Sequence, residues 1–369
     1  MNKKEIIINQ FSKSLFTEHN RKNGVLVSHI TSTLKTAGLT CSFVNESCKS
    51  SGVVSKSQVI YRKLDNKSIK EIQNCFSKQT KQFLKCLKTF SRNRKFIISF
   101  DETEEDYYGE FDKGEDNLYI HNSIDSKTDY CYKYLTVSIT CNNGKRFILD
   151  GIILKRGGYI ENYVYEMTKL IKKQLKIEVV LFDRNYGWGV IHKLQQLKVH
   201  YMVFWKKKGS WYKKYFNELK DGEYYEIRRP YKYCRNQTSH KVESNFILIK
   251  QHEYMGKKSD WIFATDLELK SAYKFVMIYK KRWGIETIFR VTDDIRIYTT
   301  STNPLTRYFL FMFTCFVYNI WKFIQFYLGE EFTLSNFNVC ILIYMFESGK
   351  IYPKDYDKFV STANRVLKV

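Results

Sequence analysis

KFIISF, residues 95–100, followed at once by Asp101, decides how this chain is read. Phe96, Ile97, Ile98 and Phe100 make a short apolar run, the length and composition of a buried strand. Working outward, YLTVSIT (Tyr134 to Thr140) alternates, and RFILDGIIL (Arg146 to Leu154) follows across the turn signal Asn142-Asn143-Gly144. Asn162 to Lys176 has helical spacing. IEVVLFD (Ile177 to Asp183) is a second buried-strand candidate, Tyr186 to Lys198 reads as helix and VHYMVFW (Val199 to Trp205) as strand. Three strands, helix, strand, helix, strand describe a mixed sheet covered by helices.

That order is the one found in the ribonuclease H-like fold, so the expected class is α/β with a mixed (α+β) sheet. Beyond it, residues 206–258 are polar, basic and aromatic with short alternating runs such as EYYEIRR and NFILIK, expected to be an all-β insertion. WIFATD (Trp261 to Asp266) returns to a core strand, and one long helix is expected from Leu269 to Arg296. On the other side, Ser68 to Phe90 carries Ile69, Ile72, Phe76, Phe83, Leu84, Leu87 and Phe90 at helical spacing. The expected organisation is a basic helical region at 1–92, a ribonuclease H-like domain at 93–300 that carries the insertion, and a helical region at 301–369. No internal repeat or low-complexity linker interrupts it.

The chain carries 61 Lys and Arg against 38 Asp and Glu, a net charge of +23. Nine of those acids fall between Asp101 and Asp116, beside a single base, Lys113. A basic chain with one acidic island points to a polyanion partner, held by phosphate neutralisation and counterion release. The competing explanation is a Lys-rich surface set by coding bias. The nine cysteines are scattered without a CxxC pair, and Cys41 and Cys48 have no second pair at zinc-ligand spacing; reduced, cytoplasmic thiols are expected. MNKKEIIINQFSKS at the start lacks the apolar core of a signal peptide. Tyr308 to Tyr318 is apolar apart from Thr314, but it falls well short of the roughly 18–20 residues of a bilayer span and reads as a buried helix, with no membrane partner.

Three acids stand where phosphodiester chemistry wants them: Asp101 at the end of the first expected strand, Asp183 at the end of the fourth, and Glu286 on the long helix. Strand ends collect at one edge of a sheet, and a helix packed across it can bring in the third acid. Two divalent ions about 3.5–4 Å apart can activate water and stabilise a leaving alkoxide. Hard cations such as Mg2+ take carboxylate oxygens, and no His or Cys cluster is expected to compete for a softer metal. Each acid also has a plain structural alternative: Asp101 opening a solvated acidic loop, Asp183 capping a helix, Glu286 as one more surface charge. Tyr279, Arg282 and Glu286 are spaced i, i+3 and i+7, and so share a helix face that Arg290 extends.

The segment YKKRWGIETIFR (Tyr279 to Arg290) resembles the Tyr-x-x-Arg-x-x-x-Glu signature of the insertion-sequence-four superfamily of DDE-type transposases. FDRNYGWG (Phe182 to Gly189) resembles the block around that family's second aspartate, and ISFDETEEDYYG (Ile98 to Gly109) the first block. RYFLFMFTCFVYNIW (Arg307 to Trp321) looks like its packing helix. The likeness covers roughly residues 95 to 325, nearest to the archaeal insertion-sequence branch. One departure is Asp293, where the family often has Lys seven residues after the Glu; Arg290 or Arg296 can take that place.

The resemblance implies a ribonuclease H-like core and metal-dependent cleavage of DNA, with 3′-OH attack on target DNA. Asp101, Asp183 and Glu286 would be catalytic and metal-binding, with Mg2+ (Mn2+ substituting), two ions in number. Tyr279 and Arg282 would contact the transposon end. Arg290 and Arg184 are further expected DNA contacts. WKKKGSWYKKYF (Trp205 to Phe216) and RRPYKYCR (Arg228 to Arg235) interleave bases with aromatics, so Lys206, Lys207 and Lys208 would hold phosphates and Trp211 would stack on a base. The alternative is a ribbon with its aromatics packed underneath. The implied partners are double-stranded DNA (terminal inverted repeats and target) and a second copy of the chain, in the cytoplasm at the nucleoid. The rival functions are a transposase-derived DNA-binding protein without catalysis and a structure-specific nuclease of the same fold.

Overall fold

The computed structural model describes residue 44 and residues 57–65, 67–90, 95–110, 114–121, 128–140, 146–235, 237–328 and 333–338. Most of the basic N-terminal region, Cys41, Cys48, the Asn142-Asn143-Gly144 turn and residues 339–369 lie outside these. Among the described residues, helices α1 (Ser57–Asp65) and α2 (Ile69–Phe90) precede the sheet. Ser68 caps α2: its Oγ accepts from Glu71 N at 3.2 Å, while the Glu71 carboxylate accepts from Ser68 N at 2.7 Å, a reciprocal capping box.

Four strands follow, β1 (Phe96–Tyr107), β2 (Leu118–Ile120), β3 (Tyr130–Thr140) and β4 (Arg146–Ile153), then α3 (Ile160–Lys172), β5 (Ile177–Phe182), α4 (Trp188–Gln196) and β6 (Tyr201–Phe204). β1 pairs antiparallel with β3 and parallel with β5, β3 pairs antiparallel with β4, and β5 pairs parallel with β6. The β4-β3-β1-β5-β6 order, with α3 and α4 as crossovers, is the ribonuclease H-like core. The segment expected as a β insertion holds a short helix, α5 (Lys213–Glu218), and the long strands β7 (Tyr224–Arg235) and β8 (Thr238–Tyr254). β9 (Lys257–Thr265) pairs with both β8 and β6, so the insertion extends the same nine-stranded sheet.

The expected long helix from Leu269 to Arg296 is two helices, α6 (Ala272–Lys280) and α7 (Trp283–Asp293). At the junction the N–H groups of Lys281, Arg282, Gly284 and Ile285 donate to carbonyls three residues back, a tightened turn. Arg146 packs closely over Gly284 beside this turn, where a Cβ would lie 2.0 Å from its Nε. The chain continues into α8 (Pro304–Leu328). Among the described residues no helix is long and apolar enough to cross a membrane.

Strand alternation sorts the core onto two faces. Ile98 and Phe100 of β1, with Val180 and Phe182 of β5, pack against α3 and α4 through Val164, Met167, Val190 and Leu194. Ile97, Val179 and Leu181 face the other way, toward Phe275, Val276 and Tyr279 of α6. On that second side α1, α2, α7 and α8 share a core through Ile60, Leu64, Ile72, Phe76, Ile285, Ile288, Tyr308 and Phe313. Helices α1 and α2 therefore pack with α8.

Two buried polar groups join these helices to β4. Asn319, which ends the apolar run of α8, accepts from Ile148 N at 2.9 Å and donates to Ile148 O at 2.8 Å. It thereby supplies the edge strand with the partner that a further strand would have given. Asn319→Leu strands both backbone groups in the core, and a loss of about 2–5 kcal/mol is expected in urea unfolding; a change below about 0.5 kcal/mol would contradict this role. Asp150 accepts from Gly151 N at 2.9 Å and from Gln73 Nε2 of α2 at 3.1 Å. Burial nonetheless pushes its carboxyl from 3.8 up to about 7. Because the folded value is the higher one, its contribution to stability is complete below about pH 4 and is lost as pH rises through 7. Asp150→Asn is therefore expected to gain on the order of a few kcal/mol at pH 8 and nothing at pH 4. Equal unfolding midpoints for the two proteins at pH 8 would contradict it.

Candidate active site

Asp101 lies inside β1, not at its end: the strand runs six residues further, to Tyr107. The acidic stretch continues as strand because its side chains find partners on both faces. Glu104 pairs with Lys133 at 2.7 Å, while Glu105 pairs with Arg307 at 2.8 Å. Asp101 alternates with Ile97 and Ser99, which directs it to the side of the sheet covered by α6 to α8. Asp183 directly follows β5 and has the same parity as Val179 and Leu181. The β1–β5 register aligns Ser99 with Leu181, so two residues further along each chain Asp101 stands level with Asp183.

Glu286 sits in the first turn of α7, with its side chain 51% exposed. Arg282 joins it to the sheet. This arginine lies at the α6–α7 junction and is 3% exposed. Its guanidinium donates to Asp101 at 3.2 Å, to Glu286 and to the Tyr279 hydroxyl at 3.1 Å. Asp183, Tyr279, Arg282 and Glu286 line one open cavity of about 390 Å³, together with Arg184, Phe204, Asp260, Trp261 and Trp283.

The electrostatics follow from that crowding. Burial pushes Asp101 up to about 6; Arg282 opposes the rise, and the charges of Asp183 and Glu286 add to it. Burial also works against the Arg282 charge, but Tyr279, Asp101, Asp183 and Glu286 more than offset it and leave Arg282 above its ordinary value. Burial raises Tyr279 as well. Three carboxylates within electrostatic reach of one another, sharing one buried cation, are short of positive charge. Their oxygen-only donor set suits a hard divalent ion.

The structure separates the expected DNA-contact residues. Tyr279 is 1% exposed, packed against Phe204, Trp261 and Phe263. With Arg282 it faces the carboxylates. Arg184, at the cavity mouth, has a 61% exposed side chain. Lys206, Lys207 and Lys208 are exposed in the loop after β6, Lys207 lying 3.5 Å from Asp260. Arg290 is exposed on α7. Arg296, the other candidate for the missing family lysine, is drawn to Asp293 at 3.6 Å. Trp211 is half-buried: the Arg229 guanidinium lies 3.9 Å over its ring, and Phe246 packs against it edge-on. Trp188 stacks on Tyr231 and meets Trp205 and Phe246, so aromatics do pack beneath the β7–β8 ribbon.

One grouping was not anticipated from the sequence. A cluster with softer donors does exist, formed by Glu104, His121 and Cys131. Their sequence spacing matches no ligand motif; strand register alone brings them together, and the alternation of β1 and β3 was the available signal.

A family model described as "Transposase DDE domain" matches residues 127–320. Asp183 and Glu286 fall inside that segment and Asp101 precedes it. Among solved structures, the chain is similar to the piggyBac transposase in a cryo-EM synaptic complex with hairpin DNA. The TM-score is 0.52 and the identity 10%, over 99% of this chain and 76% of that one. At that identity the likeness is one of fold. No curated protein matches the chain.

Proposed function

The chain belongs to the transposase DDE domain family, and we propose that it cleaves transposon-end DNA and transfers the resulting 3′-OH ends to target DNA, with Asp101, Asp183 and Glu286 as the metal-binding, catalytic carboxylates. The observation that carries this is the joining of β1 and α7 at one guanidinium, with Asp183 level on the neighbouring strand. Two Mg2+ ions, with Mn2+ able to substitute, fit the donor set. When bound, they would supply charge stabilisation for the attacking and leaving oxygens.

The protein's own part is to place and hold. β1 and β5 fix the two aspartates on a parallel pair, where strand geometry sets their separation. Arg282 keeps Asp101 and Glu286 apart and oriented, and the Tyr279 hydroxyl fixes the guanidinium. Tyr279 and Arg282 thus act as positioning residues, a reading favoured over direct DNA contact because both are buried. Arg184, Lys206, Lys207, Lys208 and Arg290 are the exposed bases suited to phosphate, with the +23 charge adding sequence-independent affinity. The similar fold bound to hairpin DNA in a synaptic complex supports a DNA partner; a homodimer acting on paired ends is part of the same proposal.

The test is a labelled duplex carrying the element's own end, incubated with the full chain in Mg2+ or Mn2+ beside a supercoiled target plasmid. Metal-dependent nicking at the end and joined product are expected. Tight binding with neither nicking nor joining in either metal would favour a transposase-derived DNA-binding protein instead.

A further inference from the structure

Past Asp101 the other face of β1 carries Glu104 and Asp106. The β1–β3 register sets Glu104 opposite Lys133 and Asp106 opposite Cys131. His121 follows β2, and its backbone N–H donates to Asp129 O at 2.8 Å, which holds the residue beside the same two strands. One Glu104 oxygen lies 3.2 Å from His121 Nδ1, while the other is taken by Lys133 at 2.7 Å. His121 Nε2 lies 3.2 Å from Asp106. The ligand atoms of Glu104, His121 and Cys131 all fall within 4.8 Å of one another. The His121 side chain is 6% exposed and Cys131 is buried.

We propose that Glu104, His121 and Cys131 bind one zinc(II) ion, with Asp106 as the outer partner of His121. The donor set is one carboxylate, one imidazole and one thiol, the borderline-soft combination that zinc takes and magnesium does not. Oxygen and nitrogen ligands at tetrahedral zinc stand about 3.3 Å apart, given bonds of roughly 2.0–2.2 Å, and the Glu104–His121 separation is already close to that. With Nδ1 on the metal, the proton would sit on Nε2, which would donate to Asp106 at 3.2 Å, the arrangement that fixes a metal-bound imidazole. Lys133 leaves the inner oxygen of Glu104 free. Binding releases the Cys131 thiol proton to solvent, and a water can complete four-coordination. The ion would pin the three-residue edge strand β2 to β1 and β3. It would sit on the opposite face of β1 from Asp101, outside the cleavage site.

The experiment saturates the purified full chain with zinc chloride, dialyses it against zinc-free magnesium buffer and counts the metal by elemental analysis. Cobalt(II) is then substituted and the absorption spectrum recorded. One zinc per chain is expected, with a thiolate-to-cobalt band and the strong visible bands of four-coordination. Both should vanish in Cys131→Ser and His121→Gln and persist in Asp101→Asn. Asp106→Asn should weaken zinc binding by roughly 10–100-fold. A wild type that retains no zinc, or a cobalt spectrum unchanged in Cys131→Ser, would overturn the proposal and leave a salt-bridge cluster. Should Cys131→Ser fail to fold, His121→Gln and Asp106→Asn carry the same comparison.

Discussion

Glu286→Gln is expected to lose metal-dependent nicking by on the order of 10³-fold or more while binding the end duplex within a few-fold of wild type. The substitution keeps size and hydrogen-bonding reach and removes one negative charge. That charge matters for holding a cation and little for folding, since the side chain is half exposed and, among the described residues, is paired with Arg282. Thermal unfolding should therefore move little. Nicking that survives with a rate within tenfold of wild type would remove Glu286 from the catalytic set. A large fall in DNA affinity would instead assign it to the binding surface.

Arg282→Met is expected to cost about 3–5 kcal/mol of stability in metal-free buffer. The guanidinium is nearly fully buried and holds Asp101, Glu286 and Tyr279 at once. Methionine fills much of the volume and leaves the carboxylates without their cation. Two further outcomes separate this from simple loss of packing. Mn2+ should stabilise the variant more than wild type, because the added ion supplies the missing charge. Combining Arg282→Met with Glu286→Gln should also cost less than the two changes summed, since the pair is coupled. Additive costs and no metal effect would reduce Arg282 to a packing residue. Nicking should fall as well, because Asp101 and Glu286 lose their common anchor.

Much of this arrangement was legible in the sequence, for a physical reason. KFIISF and IEVVLF are apolar on both faces because helices cover both, and an acid after each run marks where the site opens. Parity then does the rest: Asp101 follows Ile97 and Ser99, Asp183 follows Val179 and Leu181. The sequence puts Asp101 at a strand end because the apolar run KFIISF stops there and nine acids in the next sixteen residues resemble a solvated loop. The pairing partners that keep that stretch extended, Lys133 and Arg307, are distant in sequence. The break between α6 and α7 was hidden because YKKRWGIE is compatible with continuous helix. The contacts found at the break are tertiary: Arg282 turns into the carboxylates and Arg146 lies over Gly284. The Glu104–His121–Cys131 cluster was illegible for a related reason, since its members meet only through the β1–β3 register and the three-residue strand β2. Asn319 follows the apolar run Tyr308 to Tyr318, and nothing in that run shows that it covers the edge of β4.

The most direct test of the central claim locates the metal itself. Iron(II) is allowed to replace magnesium in the full chain, and ascorbate with peroxide then cuts the backbone wherever the ion is held. Cuts next to residues 101, 183 and 286 are predicted, suppressed by excess Mg2+ and absent in Glu286→Gln. Cuts confined to the neighbourhood of Glu104, His121 and Cys131, or no localised cuts, would contradict a metal site built on Asp101, Asp183 and Glu286.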